Sequence, residues 1–211
     1  MKIQIRPGIH HLGDQIIWVS SEIAKGRTHF NVQLADGLYD LFPNITWQDE
    51  VTRYGSAFEL DFSCKMARFD ESKYVPCEIP NRPYITVQFD SSKDGSEDYN
   101  EKRVFSLDED WKAWILNKYA SMGFDIVDIG GMRWSLAEAA YIMKHSQGHI
   151  GAVSGFCLFA ACVGTKFSHV YFNSPIRESI ECFPDHFISY DPLMEINGIR
   201  SYFRDPNLNI G

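Results

Sequence analysis

Cysteine is scarce and scattered in this 211-residue chain: Cys64, Cys77, Cys157, Cys162 and Cys182 are odd in number and include no C-x-x-C pair. That spacing gives neither a disulfide framework nor a zinc site. Cys157 and Cys162, inside the apolar run Phe156–Val163, read as small buried hydrophobes. No long hydrophobic run is present either. The longest, Gly155–Gly164, is about half of the ~20 residues a membrane-spanning helix needs. The opening MKIQIRPGIHHLGDQ has no apolar core or small-residue cleavage site of a signal peptide. A cytoplasmic location is the expectation. Positive charge is in deficit, with 20 Lys and Arg against 28 Asp and Glu, a net charge of −8. Bulk attraction to nucleic acid or an anionic membrane is thereby excluded, while a local pocket for a small phosphorylated ligand is not. The sequence holds no Walker loop, no G-x-G-x-x-G, no H-E-x-x-H and no G-x-S-x-G.

What is present is an ordinary globular balance, 45% apolar and 23% charged residues, in a chain long enough to bury roughly 70% of its extended surface. Strand and helix signals alternate. Lys2–Arg6 reads as a strand, and Gln15–Ala24 as a helix with Asp14 at its N-cap and Gly26 closing it. Phe30–Leu34, Ile45–Trp47 and Phe58–Phe62 read as short strands, and Asp36–Phe42 as a short helix stopped by Pro43. Val75–Pro83, with three prolines, reads as a linker. Beyond it Tyr84–Phe89 is the strongest strand signal, followed by a polar loop, Ser91–Lys102. Helices at Ser106–Ser121, Ser135–His145 and Gly155–Gly164 then alternate with strands at Asp125–Ile129, Ile150–Ser154 and His169–Phe172. Strands separated by helices of this length mean βαβ crossovers and a parallel sheet. The expected class is α/β with two Rossmann-like halves and mainly parallel sheets. A small first half covers 1–80, a nucleotide-binding half 81–173, and 174–211 is a tail packing back on the body.

In such sheets ligands sit beyond the carboxyl ends of the strands. The strand-to-helix junction Val153-Ser154-Gly155 offers helix N–H groups and a close backbone approach to an anion; an ordinary N-cap and turn explain it equally well. In the loop Gly8–Gln15, Gly13 permits close approach, and Asp14 is either a helix cap or a general base. His10 and His11 are loop histidines able to touch an acceptor or a phosphate. Lys93, Lys102 and Arg103 follow the Tyr84–Phe89 strand, as solvated charges or as holders of a diphosphate. Glu138 can accept from ribose hydroxyls or simply favour a helix start.

In order, these segments resemble glycosyltransferases of the two-Rossmann-domain (GT-B) type, nearest the ADP-heptose:lipopolysaccharide heptosyltransferase family. The resemblance rests on Gly13-Asp14 before a helix, Leu38–Ile45 (LYDLFPNI), Lys102-Arg103 before the Trp-containing segment Asp110–Met122, Ile126–Gly131 ending in Gly-Gly, Ser135–Met143, and Ser154-Gly155 with Gly164. It departs at Val153, Leu158 and Lys166, where the family carries an acid, a histidine and a proline, and the chain is shorter than usual members. The resemblance implies a metal-independent, inverting transfer of a sugar from a nucleotide-sugar co-substrate to an acceptor hydroxyl, with no other cofactor. Asp14 would be the base, Gly13, Ser154, Gly155, Lys93, Lys102, Arg103 and Glu138 the donor contacts, and His10 and His11 the acceptor side. The acceptor class stays open among a glycan, a metabolite and a modified base. The short first half is compatible with a homodimer. The rival expectation is a non-catalytic ligand-binding or interaction module on the same scaffold; an epimerase or hydrolase is a third.

Overall fold

Apolar residues at helical spacing make Leu12–Ala24 the first helix, α1, of the computed structural model, which describes residues 12–30, 37–47, 65–89, 109–130, 133–152, 154–173, 190–191 and 199–204. Then come β1 (His29–Phe30), α2 (Leu38–Leu41), β2 (Thr46–Trp47), a 3₁₀ turn (Glu71–Lys73) and β3 (Tyr84–Gln88). The chain continues through α3 (Glu109–Ser121), β4 (Asp125–Asp128), α4 (Leu136–His145), β5 (His149–Ala152), α5 (Gly155–Val163) and β6 (Ser168–Asn173). Two further strands are β7 (Tyr190–Asp191) and β8 (Ile199–Arg204). The expected strands at Lys2–Arg6 and Phe58–Phe62 and the loop at Ser91–Lys102 lie outside the described residues.

The fold is α/β and Rossmann-like. The large sheet runs β4-β3-β5-β6-β8-β7, parallel through β6, while β1 and β2 form a separate parallel pair. The chain moves from β3 outward to β4, then crosses back to β5 on the other side of β3. The strand order therefore reverses between β3 and β5, and the crevice at their carboxyl ends is the topological switch point. Within 174–211, β8 runs antiparallel along β6 from Ser168↔Arg204 to Asn173↔Ile199, and β7 pairs with β8. A six-residue alternation in IRSYFR is a weak signal alone; pairing with the edge of β6 makes it a strand.

Every residue of β3 is buried, and its two faces are chemically different. Ile85, Val87 and Phe89 meet Ile115 and Tyr119 of α3 and Ile150 of β5 on one side. Tyr84 faces the larger core, which α1, α2, α4 and α5 share. That core draws residues from both sides of position 80, for example Ile16, Val19 and Leu41 with Ile142, Leu158 and Phe159.

The segment that precedes the proline-bearing linker is packed across the core. Met66 and Phe69 are buried, and the Phe69 ring stands edge-on to Phe42 and Phe159 at centroid distances of 5.0 and 4.9 Å. Its backbone N–H groups reach four helices or helix ends: Ala67 to Ser20 Oγ (3.0 Å), Phe69 to the Cys162 carbonyl (3.1 Å), Asp70 to Leu41 (2.7 Å) and Val75 to Ala137 (3.2 Å). Residues 65–75 thus act as a strap across the core. Such bonds satisfy backbone groups that a buried irregular segment would otherwise leave unpaired.

Candidate functional site

The site is assembled at the switch point from two helix starts and two strand ends. Ser154 adopts extended backbone angles as the N-cap of α5, but its side chain makes no capping bond. Its hydroxyl instead donates to Gln88 Oε1, at the end of β3, at 2.6 Å. Ser154 also hydrogen-bonds the Cys157 sulfur through backbone and side chain, yet burial dominates and pushes that thiol up to about 12. Cys157 is therefore a neutral thiol, with no thiolate nucleophile at neutral pH.

The first turns of α1 and α5 meet backbone to backbone. A Cβ built on Gly155 would lie 2.5 Å from the Gly13 nitrogen and 2.9 Å from Leu12 Cβ. One built on Gly13 would lie 3.2 Å from Gly155 Cα and 3.3 Å from Leu158 Cδ1. Both glycines thus have a packing reason: no side chain fits between the helices at this crossing. Leu158, one of the three departures from the family pattern, is buried against Gly13. Asp14 is half-buried in the first turn of α1. It is not the N-cap: Leu12 and Gly13 before it are already helical and lie against α5. Its carboxylate lies where the helix dipole favours negative charge.

The structure therefore brings Gly13, Asp14, Ser154 and Gly155 to one junction. Glu138 has a different engagement. Its Oε2 accepts from the Ser135 N–H at 2.9 Å and the Ser135 hydroxyl at 2.8 Å, while Ser135 Oγ accepts from the Glu138 N–H at 3.2 Å. This is a reciprocal capping box, and its bonds hold the Glu138 carboxyl below the usual carboxylate range. The S-x-x-E pattern at 135–138 is the sequence signature of that role. His10, His11, Lys93, Lys102 and Arg103 lie outside the described residues. Gln88 was missed by sequence reasoning; its signal is a polar residue ending a strand of high β propensity at the switch point.

A hollow of about 210 Å³ lies at the opposite, C-terminal end of α5. There Arg68 donates to the Ala161 carbonyl at 2.7 Å and crowds Gly164, which takes the left-handed φ of 77° that ends the helix. Lys144 pairs with Glu71 beside it. These cations answer the negative ends of α4 and α5, a helix-capping role. Among the described residues, no group of three or more His, Cys, Asp or Glu gathers as a metal site would require. Nor is any described helix long and apolar enough to cross a membrane.

No protein-family model matches the chain, and no curated protein sequence matches it. Solved structures do. The dodecameric iron-containing heptosyltransferase TibC, in complex with ADP-D-β-D-heptose, is similar at a TM-score of 0.56 and 15% identity over 83% of this chain. The same glycosyltransferase from enterotoxigenic E. coli H10407 gives a TM-score of 0.55 and 16% identity over 80% of this chain. The chain spans 59% and 57% of those chains respectively. What this likeness shows is the fold: an α/β, Rossmann-like architecture of the kind these glycosyltransferases have.

Proposed function

We propose that the chain is a glycosyltransferase that moves a sugar from a nucleotide-sugar donor to an acceptor hydroxyl, with inversion and without a metal. One observation carries the reading: the Gly13–Gly155 crossing, which sets the turn holding Asp14 against the Ser154–Gly155 start of α5 at the switch point. In this reading the donor diphosphate lies at the start of α5, where backbone N–H groups and the helix dipole favour an anion. Lys93, Lys102 and Arg103 neutralise the leaving nucleoside diphosphate. Asp14 takes the proton of the acceptor hydroxyl as its oxygen attacks the anomeric carbon from the face opposite the diphosphate. The anomeric carbon–oxygen bond to phosphate breaks, and the nucleoside diphosphate leaves with the electron pair. The acceptor is a glycan, a metabolite or a modified base, and the location is cytoplasmic. The similarity to a structure holding ADP-heptose supports an adenosine-diphosphate sugar as the first donor to test.

A second reading, a non-catalytic binding module, has its own observation. The glycine crossing is so close that α1 covers part of the start of α5, and the Glu138 carboxylate is already held by Ser135. Thermal stabilisation and nucleotide release across a panel of nucleotide sugars separate the two. Transfer or hydrolysis that Asp14→Asn cuts by ~10²–10⁴-fold, with donor affinity kept, supports the enzyme. Binding without turnover supports the module.

A further inference from the structure

Parallel strands covered on both faces are ordinarily filled with Val, Ile and Leu. Here the face of the sheet beneath α5 carries a polar row instead. Thr86 of β3, His149 of β5 and Ser168 of β6 are register partners in turn, so their side chains share one face, and all three are buried. Thr86 Oγ1 donates to the Gly148 carbonyl at 3.2 Å, so its oxygen accepts from His149 Nδ1, 3.1 Å away. Nδ1 therefore carries the ring proton, and Nε2 presents a bare lone pair. That lone pair has no hydrogen-bond partner, and neither does the Ser168 hydroxyl beside it. One group needs a donor and the other needs an acceptor, yet they do not bond each other.

We propose that a single buried water bridges them, accepting from the Ser168 hydroxyl and donating to His149 Nε2. Leaving two buried polar groups unsatisfied is costly, so a site of this chemistry draws a water in. A side chain at Gly151 would crowd the Nε2 end of this seam. A Cβ there would lie 3.1 Å from His149 Nε2, 2.7 Å from the Gln88 carbonyl oxygen and 3.5 Å from Cys157 Sγ. The Gln88 carbonyl is thus at hand for the second water proton, completing about three hydrogen bonds, as is usual for buried water. The water pins β5 to β6 under the start of α5, and this holds whether or not the chain transfers sugars.

The test uses the full chain. A crystal structure fine enough to show ordered water should place one oxygen within hydrogen-bonding distance of both Nε2 and Ser168 Oγ. Imidazole nitrogen NMR at neutral pH should show His149 protonated on Nδ1 alone. Magnetic relaxation dispersion should count one long-lived water fewer in Gly151→Ala than in the wild type. A dry seam, a direct Ser168–His149 bond, a proton on Nε2 or a metal ion between Nε2 and Cys157 would each overturn the proposal. The wild-type crystal and NMR readings decide it even if Gly151→Ala does not fold.

Discussion

Two helix starts in this chain begin with the same residue and end up chemically opposite. At α4, Ser135 and Glu138 close a capping box that satisfies the first turn from within. At α5, Ser154 is followed three residues later by Cys157 rather than a carboxylate, and the serine hydroxyl turns away to Gln88 on β3. The fourth residue decides. A carboxylate at that position gathers the N-cap amide and hydroxyl, whereas a buried, uncharged thiol leaves the serine to the neighbouring strand. One start is sealed by its own side chains; the other is tied to the sheet and pressed against α1 through glycine contacts. The second arrangement is the one able to change when an anion arrives.

Acidification should separate the two ends, with the largest effect expected. Burial pushes His149, beneath α5, down to about 3 from an ordinary 6.5. The unfolded chain takes the proton first, so stability is complete above about 6.5 and falls as pH drops toward 3, by up to about 1.4 kcal/mol per unit. Glu138 is shifted below its ordinary 4.5, so its contribution is present above that value and is lost only as pH falls through the folded value. Urea midpoints measured from pH 8 to pH 4 should therefore fall first through the histidine. His149→Leu should flatten the curve between 6.5 and 5, whereas Glu138→Gln should leave that stretch intact. A slope unchanged in His149→Leu would remove His149 as its source.

The next effect is steric. Gly155→Ala puts a methyl 2.5 Å from backbone nitrogen, which cannot swing aside. Overpacking of this kind costs about 1–3 kcal/mol. Gly13→Ala should cost less, because its contacts begin at 3.2 Å and one is the movable end of Leu158. Chemical denaturation of both variants checks the order. Equal losses would mean that the crossing is not governed by these distances.

Much of the second half was legible in the sequence, because each βα unit carries its own periodicity and turn residues. Tyr84–Gln88, Asp125–Asp128 and Gly155–Val163 appear within a residue or two of where alternation and apolar spacing put them. What escaped notice depends on contacts between distant segments. The strap at 65–75 carries no strand or helix signal of its own and is placed by Phe69 standing between Phe42 and Phe159. The strand β8 exists by pairing with β6, and the row Thr86–His149–Ser168 exists only once register is known. At the candidate site, Gly13 and Ser154-Gly155 stood out for flexibility and anion approach. The structure adds a reason invisible in one dimension, their contact with each other. The capping box is the converse case, since Ser135-x-x-Glu138 was readable and still passed for a ribose contact.

A smaller effect is expected at the sealed end. Ser135→Ala removes the bond accepted from the Glu138 N–H and the hydroxyl bond to the carboxylate, while the backbone N–H at 135 still donates to it, a loss of ~1 kcal/mol as for other N-caps. Thermal unfolding measures it, and nucleotide binding should not change. A shift in nucleotide affinity here would mean that the α4 start also takes part in the site.

The smallest change in stability should come at the open end, where it is also the most informative. Ser154 has no capping bond to lose, so Ser154→Ala removes chiefly the 2.6 Å bond to Gln88. A double-mutant cycle with Gln88→Leu isolates that bond, and its coupling should be about 0.5–1.5 kcal/mol. Coupling near zero would mean that the serine and glutamine are held independently. The same pair then tests the proposed site with ADP as the probe. If the start of α5 receives the diphosphate, Ser154→Ala should weaken ADP several-fold while Ser135→Ala leaves it alone. The contrast isolates position from chemistry, because both variants delete the same hydroxyl from the same place in a helix. If ADP binds both variants and the wild type alike, the α5 start serves packing only, and the two helix ends differ in partners without differing in role.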